Sequence, residues 1–335
     1  MAGVGHYHIG MSTPTVQVVT LPEIDGEWQR ILPACWTNNP FVTPWWQGTW
    51  IQHFGDDKSV QIIWVRDGPV TLGVAPLIIK DGIIKFLGGP DLSDYSDFLV
   101  PYGCEQRFYP ILWHYFQSLK WDRMEYQSIP EGSPTLGALA RLARSDGFSV
   151  RVGWEGATPV RRLPLTWDDY VRGVAKKNRH ELRRKIRKLN ESGEVKQYDC
   201  TPQTLEADMD DFFRLMRASA PEKDQFMTPV REHFFRDIAR VLSVRGELKL
   251  SMLEFEGKRV ASCINIDYAG SYFLYNSGYD PELSKLSVGL VNKASSIREA
   301  INAGRVAFNF LRGSERYKYD LGAEDRSVYE LIIAR

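Results

Sequence analysis

Leu253–Val288 reads LEFEGKRVASCINIDYAGSYFLYNSGYDPELSKLSV, and Trp64–Val100 reads WVRDGPVTLGVAPLIIKDGIIKFLGGPDLSDYSDFLV. Both stretches are apolar runs broken by glycine turns and followed by a polar loop, so the second repeats the text of the first. The match extends outward. Phe41–Phe54 (FVTPWWQGTWIQHF) aligns with Phe226–Ala239 (FMTPVREHFFRDIA), Gly68 with Gly257, and Trp121-Asp122 with Val306-Ala307. The offset stays at about 185–189 residues. A period this long is the size of a duplicated domain, too large for a solenoid repeat. A duplicated fold keeps its chemistry in one copy or at the seam, so the differences between the copies point to function.

The 335 residues suffice for two cores. Net charge is zero, so any attraction to nucleic acid or an anionic membrane must be local. Cys35, Cys104, Cys200 and Cys263 are scattered and form no CxxC pair, which argues against a zinc site or disulfide framework and fits a reducing cytoplasm. No run approaches the length of a membrane span, and residues 1–15 lack a signal peptide's pattern and read as a loose tail, His6 and His8 included.

Alternation and turn signals predict strands at 16–20, 60–65, 70–79, 83–87 and 124–129, with helices at 108–119 and 136–145. Phe41–Phe54 reads as a helix or loop capping the first core. The second copy predicts helices at 167–172, 176–191, 205–218, 230–244 and 288–303, and strands at 248–255, 259–268, 271–277, 306–311 and 328–333. The fold class is α+β, with one sheet domain appearing twice. The zone between the halves is expected around EGSPTLGALA to EGATPV.

Four segments are candidates for chemistry. In Asp280–Ile301 (DPELSKLSVGLVNKASSIREAI) a helix opens at Ser287–Gly289, and unpaired N–H groups at a helix start suit phosphate. Ser287 is equally suited to capping and Gly289 to packing. The first copy has acidic residues and Pro101 there, which suggests that only the second binds an anionic group. Lys176–Leu189 (KKNRHELRRKIRKL) holds eight Lys or Arg between Lys176 and Lys188. It reads as a solvated face or as a phosphate clamp, with Lys176, Arg179, Arg183 and Arg187 along one side. Asn309–Asp325 (NFLRGSERYKYDLGAED) concentrates Arg312, Glu315, Arg316, Lys318 and Asp320 with Tyr317 and Tyr319. Here Glu315 suits a general base and a tyrosine a general acid, or the segment is a surface loop with scattered ion pairs. Asp94, Tyr95 and Asp97 in the first copy suit recognition of an amine or sugar hydroxyls, or are turn chemistry. GxSxG, GxxxxGK[ST], HExxH and GxGxxG are missing.

Residues 35–335 resemble the GNAT superfamily in its FemAB-like and cellulose- or exopolysaccharide-biosynthesis forms. KKNRHELRRKIRKL, YNSGYDPELSKLSVGLVNKASSIREAI and FNFLRGSERYKYDLGAE carry the resemblance in the second half. WVRDGPVTLGVAPLI, FLGGPDLSDYSDFLV and WDRMEYQSIPEGSP carry it in the first. It implies two tandem GNAT-like domains, each a mixed, mostly antiparallel sheet flanked by helices: 16–155, the acceptor side without a donor loop, and 156–335, the acyltransferase domain. It implies an N-acyltransferase that uses acetyl-CoA or another acyl-CoA and needs no metal. The acceptor would be an amine, such as a lipid- or nucleotide-linked amino sugar in surface-polysaccharide or cell-envelope assembly. The donor would rest on Lys285, Leu286, Ser287, Val288 and Gly289, although the superfamily's Gln/Arg-x-x-Gly-x-Gly/Ala pattern survives there only as a basic residue and one glycine. Arg312, Glu315, Lys318 and Tyr319 would line the reacting centre. Asp94, Tyr95, Asp97, Tyr279, Arg179 and Arg183 would bind the acceptor. The alternatives are aminoacyl transfer from a charged tRNA to a cell-wall precursor, and an inactive nucleotide-binding module. The expected location is the cytoplasm, with peripheral membrane association left open.

Overall fold

The structure is a computed structural model describing residues 14–56 and 59–335. Most of the expected N-terminal tail, with His6 and His8, lies outside the described residues. The first half runs β1 (Thr15–Val19), α1 (Leu21–Ile31), α2 (Pro44–Phe54), β2 (Val60–Asp67), β3 (Val70–Lys80), β4 (Ile83–Phe86), α3 (Glu105–Ser118), β5 (Arg123–Pro130), α4 (Pro134–Ser145) and β6 (Ser149–Ala157). The second half opens with β7 (Val160–Arg162), α5 (Trp167–Gly173) and α6 (Lys176–Ser192). It continues with β8 (Val195–Asp199), α7 (Leu205–Ser219), α8 (Pro221–Phe226), α9 (Pro229–Val244), β9 (Leu248–Phe255), β10 (Lys258–Tyr268), β11 (Ser271–Tyr279), α10 (Val288–Asn302), β12 (Ala307–Asn309), α11 (Arg316–Asp320) and β13 (Ser327–Ala334).

The repeated text gives repeated local structure. Thr43 and Thr228 both cap a helix whose first residue is proline, their hydroxyls accepting from the N–H groups of Trp46 and Arg231. Gly68 and Gly257 take positive φ in the matching β2–β3 and β9–β10 turns. The next turn pairs Asp81-Gly82 with Ala269-Gly270, with positive φ at all four residues, as a tight hairpin requires.

Two mixed sheets result, flanked by helices, as expected. The first has the order β1-β2-β3-β4-β5-β13-β6 and the second β8-β9-β10-β11-β12-β7. Neighbours are antiparallel except β4–β5 and β11–β12. The halves exchange their ends. β13, from the C-terminus, pairs with both β5 and β6 in the first sheet, while β7 follows β6 and crosses to pair with β12 in the second. The expected boundary at 155/156 thus falls within β6, and the last strand of the second half is built into the first.

The seam is a core in its own right. Phe41, Trp46, Trp50 and Tyr95 from the first half pack in one cluster with Phe212, Phe213, Phe234, Phe235 and Phe273 from the second. Tyr275 lies 5.1 Å from Trp46 and 5.1 Å from Phe235, centroid to centroid. Each large aromatic buried there contributes roughly 1.5–3 kcal/mol, so the halves are one packed unit.

Candidate active site: the opening between β11 and β12

β11 and β12 pair only from Ser271↔Ala307 to Phe273↔Asn309. β11 then continues to Tyr279 alongside β10 alone, and the sheet splits into a wedge. The same split follows β4 and β5, but there the chain fills it. Ser96 N–H donates to Ser128 O at 3.0 Å, Val74 and Leu99 exchange backbone hydrogen bonds at 2.9 Å, and Phe98 packs 5.1 Å from Phe86 and 5.4 Å from Tyr126. The acidic, proline-bearing text of the first copy therefore plugs most of its wedge, leaving about 60 Å³ beside Phe86, Ser96 and Ser128 against about 230 Å³ at the second.

The N-terminus of α10 faces the open wedge. Pro281–Leu286 forms a short 3-10 turn, and Ser287 then takes a left-handed conformation (φ 57°) that redirects the chain into the helix. The Ser287 carbonyl accepts from the N–H groups of Leu290 and Val291 at 3.0 Å. The N–H groups of Val288 and Gly289 precede the first intrahelical acceptors, so the helix itself does not satisfy them. Gly289 is also a packing glycine, because a Cβ there would sit 3.2 Å from the Tyr279 ring. Tyr279, Ser284, Ser287, Gly289, Lys293 and Tyr317 line a cleft of about 230 Å³.

Lys293 is 7% exposed and carries its ammonium into this cleft. It makes a long hydrogen bond to Gly289 O, 3.4 Å, and lies 5.0 Å from the Tyr317 ring centroid. Lys223, from α8, donates to Ser277 O on β11. Burial pulls its pKa down to about 8, and the charge of Lys293 adds to that. Composition did not single out these two lysines. Lys293 was legible in principle: it is one turn into α10, and helical side chains lean back toward the N-terminus. Lys223 sits on a six-residue helix without a periodic pattern, and nothing local marks it.

The other proposed site residues fall into three places. Leu286 and Val288 pack inward, and Lys285 is exposed, its carbonyl accepting from Lys188 Nζ at 2.9 Å. Arg312 and Asp94 meet at the seam. The Arg312 guanidinium binds Glu155 at 2.8 Å and Ser128 Oγ at 2.6 Å, with Asp94 at 3.6 Å. Burial raises the Asp94 pKa against the opposing pull of Arg312. Tyr95 joins them, its hydroxyl accepting from Asn309 Nδ2 at 3.0 Å and its pKa pushed up to about 12 by burial. Lys318 is 2% exposed and fully engaged, donating to the carbonyls of Leu311 (3.2 Å), Arg312 (2.7 Å) and Gly313 (3.0 Å) and pairing with Glu315 at 3.0 Å. It fixes the loop after β12. Glu315 is exposed beside it.

Four residues lie elsewhere. Asp97 is buried in the first half, where Thr37 Oγ1 and Thr135 Oγ1 each donate to it at 2.5 Å and Phe98 N at 2.9 Å, so its oxygens are occupied far from Arg312's pairings. Tyr319 turns to Asp325 (2.7 Å), and its neighbour Tyr317 lines the cleft instead. Arg179 binds Arg172 O at 3.0 Å, and Arg183 points to solvent. At about 100° per residue, these two arginines occupy the far flank of α6. The near flank presents Lys177, Glu181 and Lys185, with Arg316 opposite, to a second cleft of about 340 Å³ that shares Leu290 with the first.

Residues 176–319 match the family model described as an acetyltransferase (GNAT) domain. The second half is thus similar to a GNAT-type acetyltransferase domain. The match begins at the basic helix and ends in α11, so it encloses the open wedge. The whole chain is similar in fold to FemX (TM-score 0.65, 11% identity, covering 94% of this chain and 96% of that one). It is also similar to the C-terminal domain of a putative lysylphosphatidylglycerol synthetase from Agrobacterium fabrum (0.58, 9%, 93% and 92%). A tandem GNAT protein from the clavulanic acid biosynthesis pathway is a third such structure (0.53, 12%, 95% and 98%). At these identities the likeness concerns the fold alone. No curated protein matches the chain. The match to the GNAT family model supports an acyltransferase. Among the described residues no helix is long and apolar enough to cross a membrane, and no group of three His, Cys, Asp or Glu is placed to hold a metal ion.

Proposed function

We propose that the protein transfers an acyl group from acyl-CoA to an amine, with the donor in the wedge between β11 and β12 and the acceptor entering at the seam. The observation that carries this reading is the buried Lys293 ammonium, held over Tyr317 and directed at the first turn of α10. A buried cation with one long hydrogen bond is costly unless an anion joins it. Beside it, helix N–H groups and the positive end of the helix favour the same sign of ligand. These residues fit the diphosphate of CoA even though the superfamily's glycine pattern is reduced. The donor brings the activated carbonyl. Lys293 and the N–H groups of Val288 and Gly289 hold its phosphates, and Lys223 adds positive charge where β11 borders the wedge. Lys318 keeps the Leu311–Gly313 loop in place, and Arg312 ties that loop to Asp94 and Glu155 of the first half. On this reading residues 16–155 serve the acceptor and 156–335 the donor. The enzyme works in the cytoplasm on an amino sugar destined for surface polysaccharide or cell envelope.

A second reading, aminoacyl transfer from a charged tRNA, is favoured by the solvent-facing Lys176, Arg183 and Arg187 of α6. The likeness to FemX and to the putative lysylphosphatidylglycerol synthetase is compatible with it. Calorimetry with acetyl-CoA separates the two. Micromolar binding that is lost in Gly289→Glu supports the acyl-CoA reading. No binding to acetyl-CoA or longer acyl-CoAs, with salt-sensitive binding of charged tRNA, overturns it in favour of the second.

A further inference from the structure

A cavity of about 370 Å³ opens at the seam on the side of Asn309, the residue at which β11 and β12 part. Trp36, Thr37, Asn38, Asn39, Tyr95 and Asn309 form most of its wall together with Phe273, and no charged side chain lines it. This volume is within the range of small-molecule sites. Its polar groups are oriented by the fold. Asn38 Oδ1 accepts from the Tyr268 hydroxyl at 2.7 Å, and Asn39 Oδ1 accepts from Phe41 N–H at 3.0 Å. The oxygen of each amide is therefore committed to the protein, and each Nδ2 is without a partner among the described residues. At the mouth, the Trp36 indole is 42% exposed. Its N–H is tied to Glu105, and its ring packs 4.5 Å from Tyr102, which holds it as a fixed platform.

An uncharged cavity gives no countercharge to a phosphate or ammonium group, whose desolvation it would leave unbalanced. Two fixed amide donors and an aromatic wall suit a ligand with neutral oxygen acceptors and a C–H face. We propose that this cavity binds a neutral sugar ring of the acceptor, stacked on Trp36 and hydrogen-bonded by Asn38 and Asn39. The role as acceptor subsite rests on the acyl-transfer reading; the binding itself does not. Tyr95 follows Asp94 in the chain and Asn309 ends β12 just before the Arg312 loop, so the cavity borders the segments that carry the Asp94–Arg312 pair.

Saturation-transfer NMR with methyl glucoside and N-acetylglucosamine, both uncharged, run without any acyl donor and with N-acetyl-triglycine amide as an uncharged peptide probe, tests the proposal. The expected result is saturation of sugar-ring protons and none of the peptide. Trp36→Ala and Asn38→Ala should each weaken saccharide binding at least about tenfold, while calorimetry shows acetyl-CoA binding unchanged. Trp36 is a surface residue whose truncation leaves the core intact, so it decides the question if Asn38→Ala misfolds. Absence of saccharide contact, contact with the peptide instead, or saccharide binding indifferent to Trp36→Ala overturns the proposal. Saccharide binding retained where acetyl-CoA fails to bind would overturn the donor reading alone.

Discussion

Three lysines show how burial assigns different work to one residue type. Lys293 is buried with little to satisfy it, so Lys293→Met should leave the melting temperature unchanged or raised. It should weaken acetyl-CoA binding at least about tenfold, or about 1.4 kcal/mol; calorimetry and thermal unfolding on one variant read both. Lys318 is the opposite case, saturated by three carbonyls and Glu315. Lys318→Met should strand buried carbonyls and cost about 1–3 kcal/mol in urea unfolding. Lys223 titrates. Its ordinary value of 10.5 falls to about 8, so between these values the folded chain binds fewer protons than the unfolded one. This group's contribution to stability therefore rises as pH climbs from about 8 to about 10.5. In the folded chain its positive charge is lost around pH 8, so acetyl-CoA affinity should fall from pH 7 to pH 9. The fall should flatten in Lys223→Met; an identical pH profile in the variant would remove Lys223 from the donor site.

At the scale of elements, most of the fold was legible and the orientation of its side chains was not. The periodic segments of α6, α7, α9 and α10 and the three-strand meanders follow from spacing and turn glycines. β6 falls in the zone expected between the halves, yet β13 pairs with it along its whole length. α1 carries Gly26 within the helix and was not anticipated. In α6 the register decides which charges face the second cleft. Leu182 and Leu189 anchor the helix, which turns Lys177 and Lys185 toward α10 and Arg179 and Arg183 away. Lys185→Glu should therefore weaken acetyl-CoA binding more than Arg183→Glu does, a comparison that fluorescence titration makes directly. Helical spacing puts Leu182, Ile186 and Leu189 on the anchoring face and the arginines on another, but which flank borders α10 is set by tertiary packing that the text does not carry. Tyr319 was preferred to Tyr317 for the same reason: both fit the text, and only the turn of α11 separates them.

At the scale of the molecule, the duplication was plain in the text, but the exchange of β7 and β13 was not, since nothing in a strand's sequence names the sheet it joins. That exchange has a testable consequence. Deleting residues 327–335 should expose the edges of β5 and β6 and loosen the first half, although the deleted strand lies at the C-terminus of the second. Amide exchange should then rise in β5 and β6 before it rises in β9 and β10. The most direct test of the whole account is amide hydrogen exchange with and without saturating acetyl-CoA. The account predicts protection concentrated in residues 276–293, from the end of β11 into the first turns of α10. Protection confined to the plugged wedge at residues 87–100, or none anywhere, would contradict it.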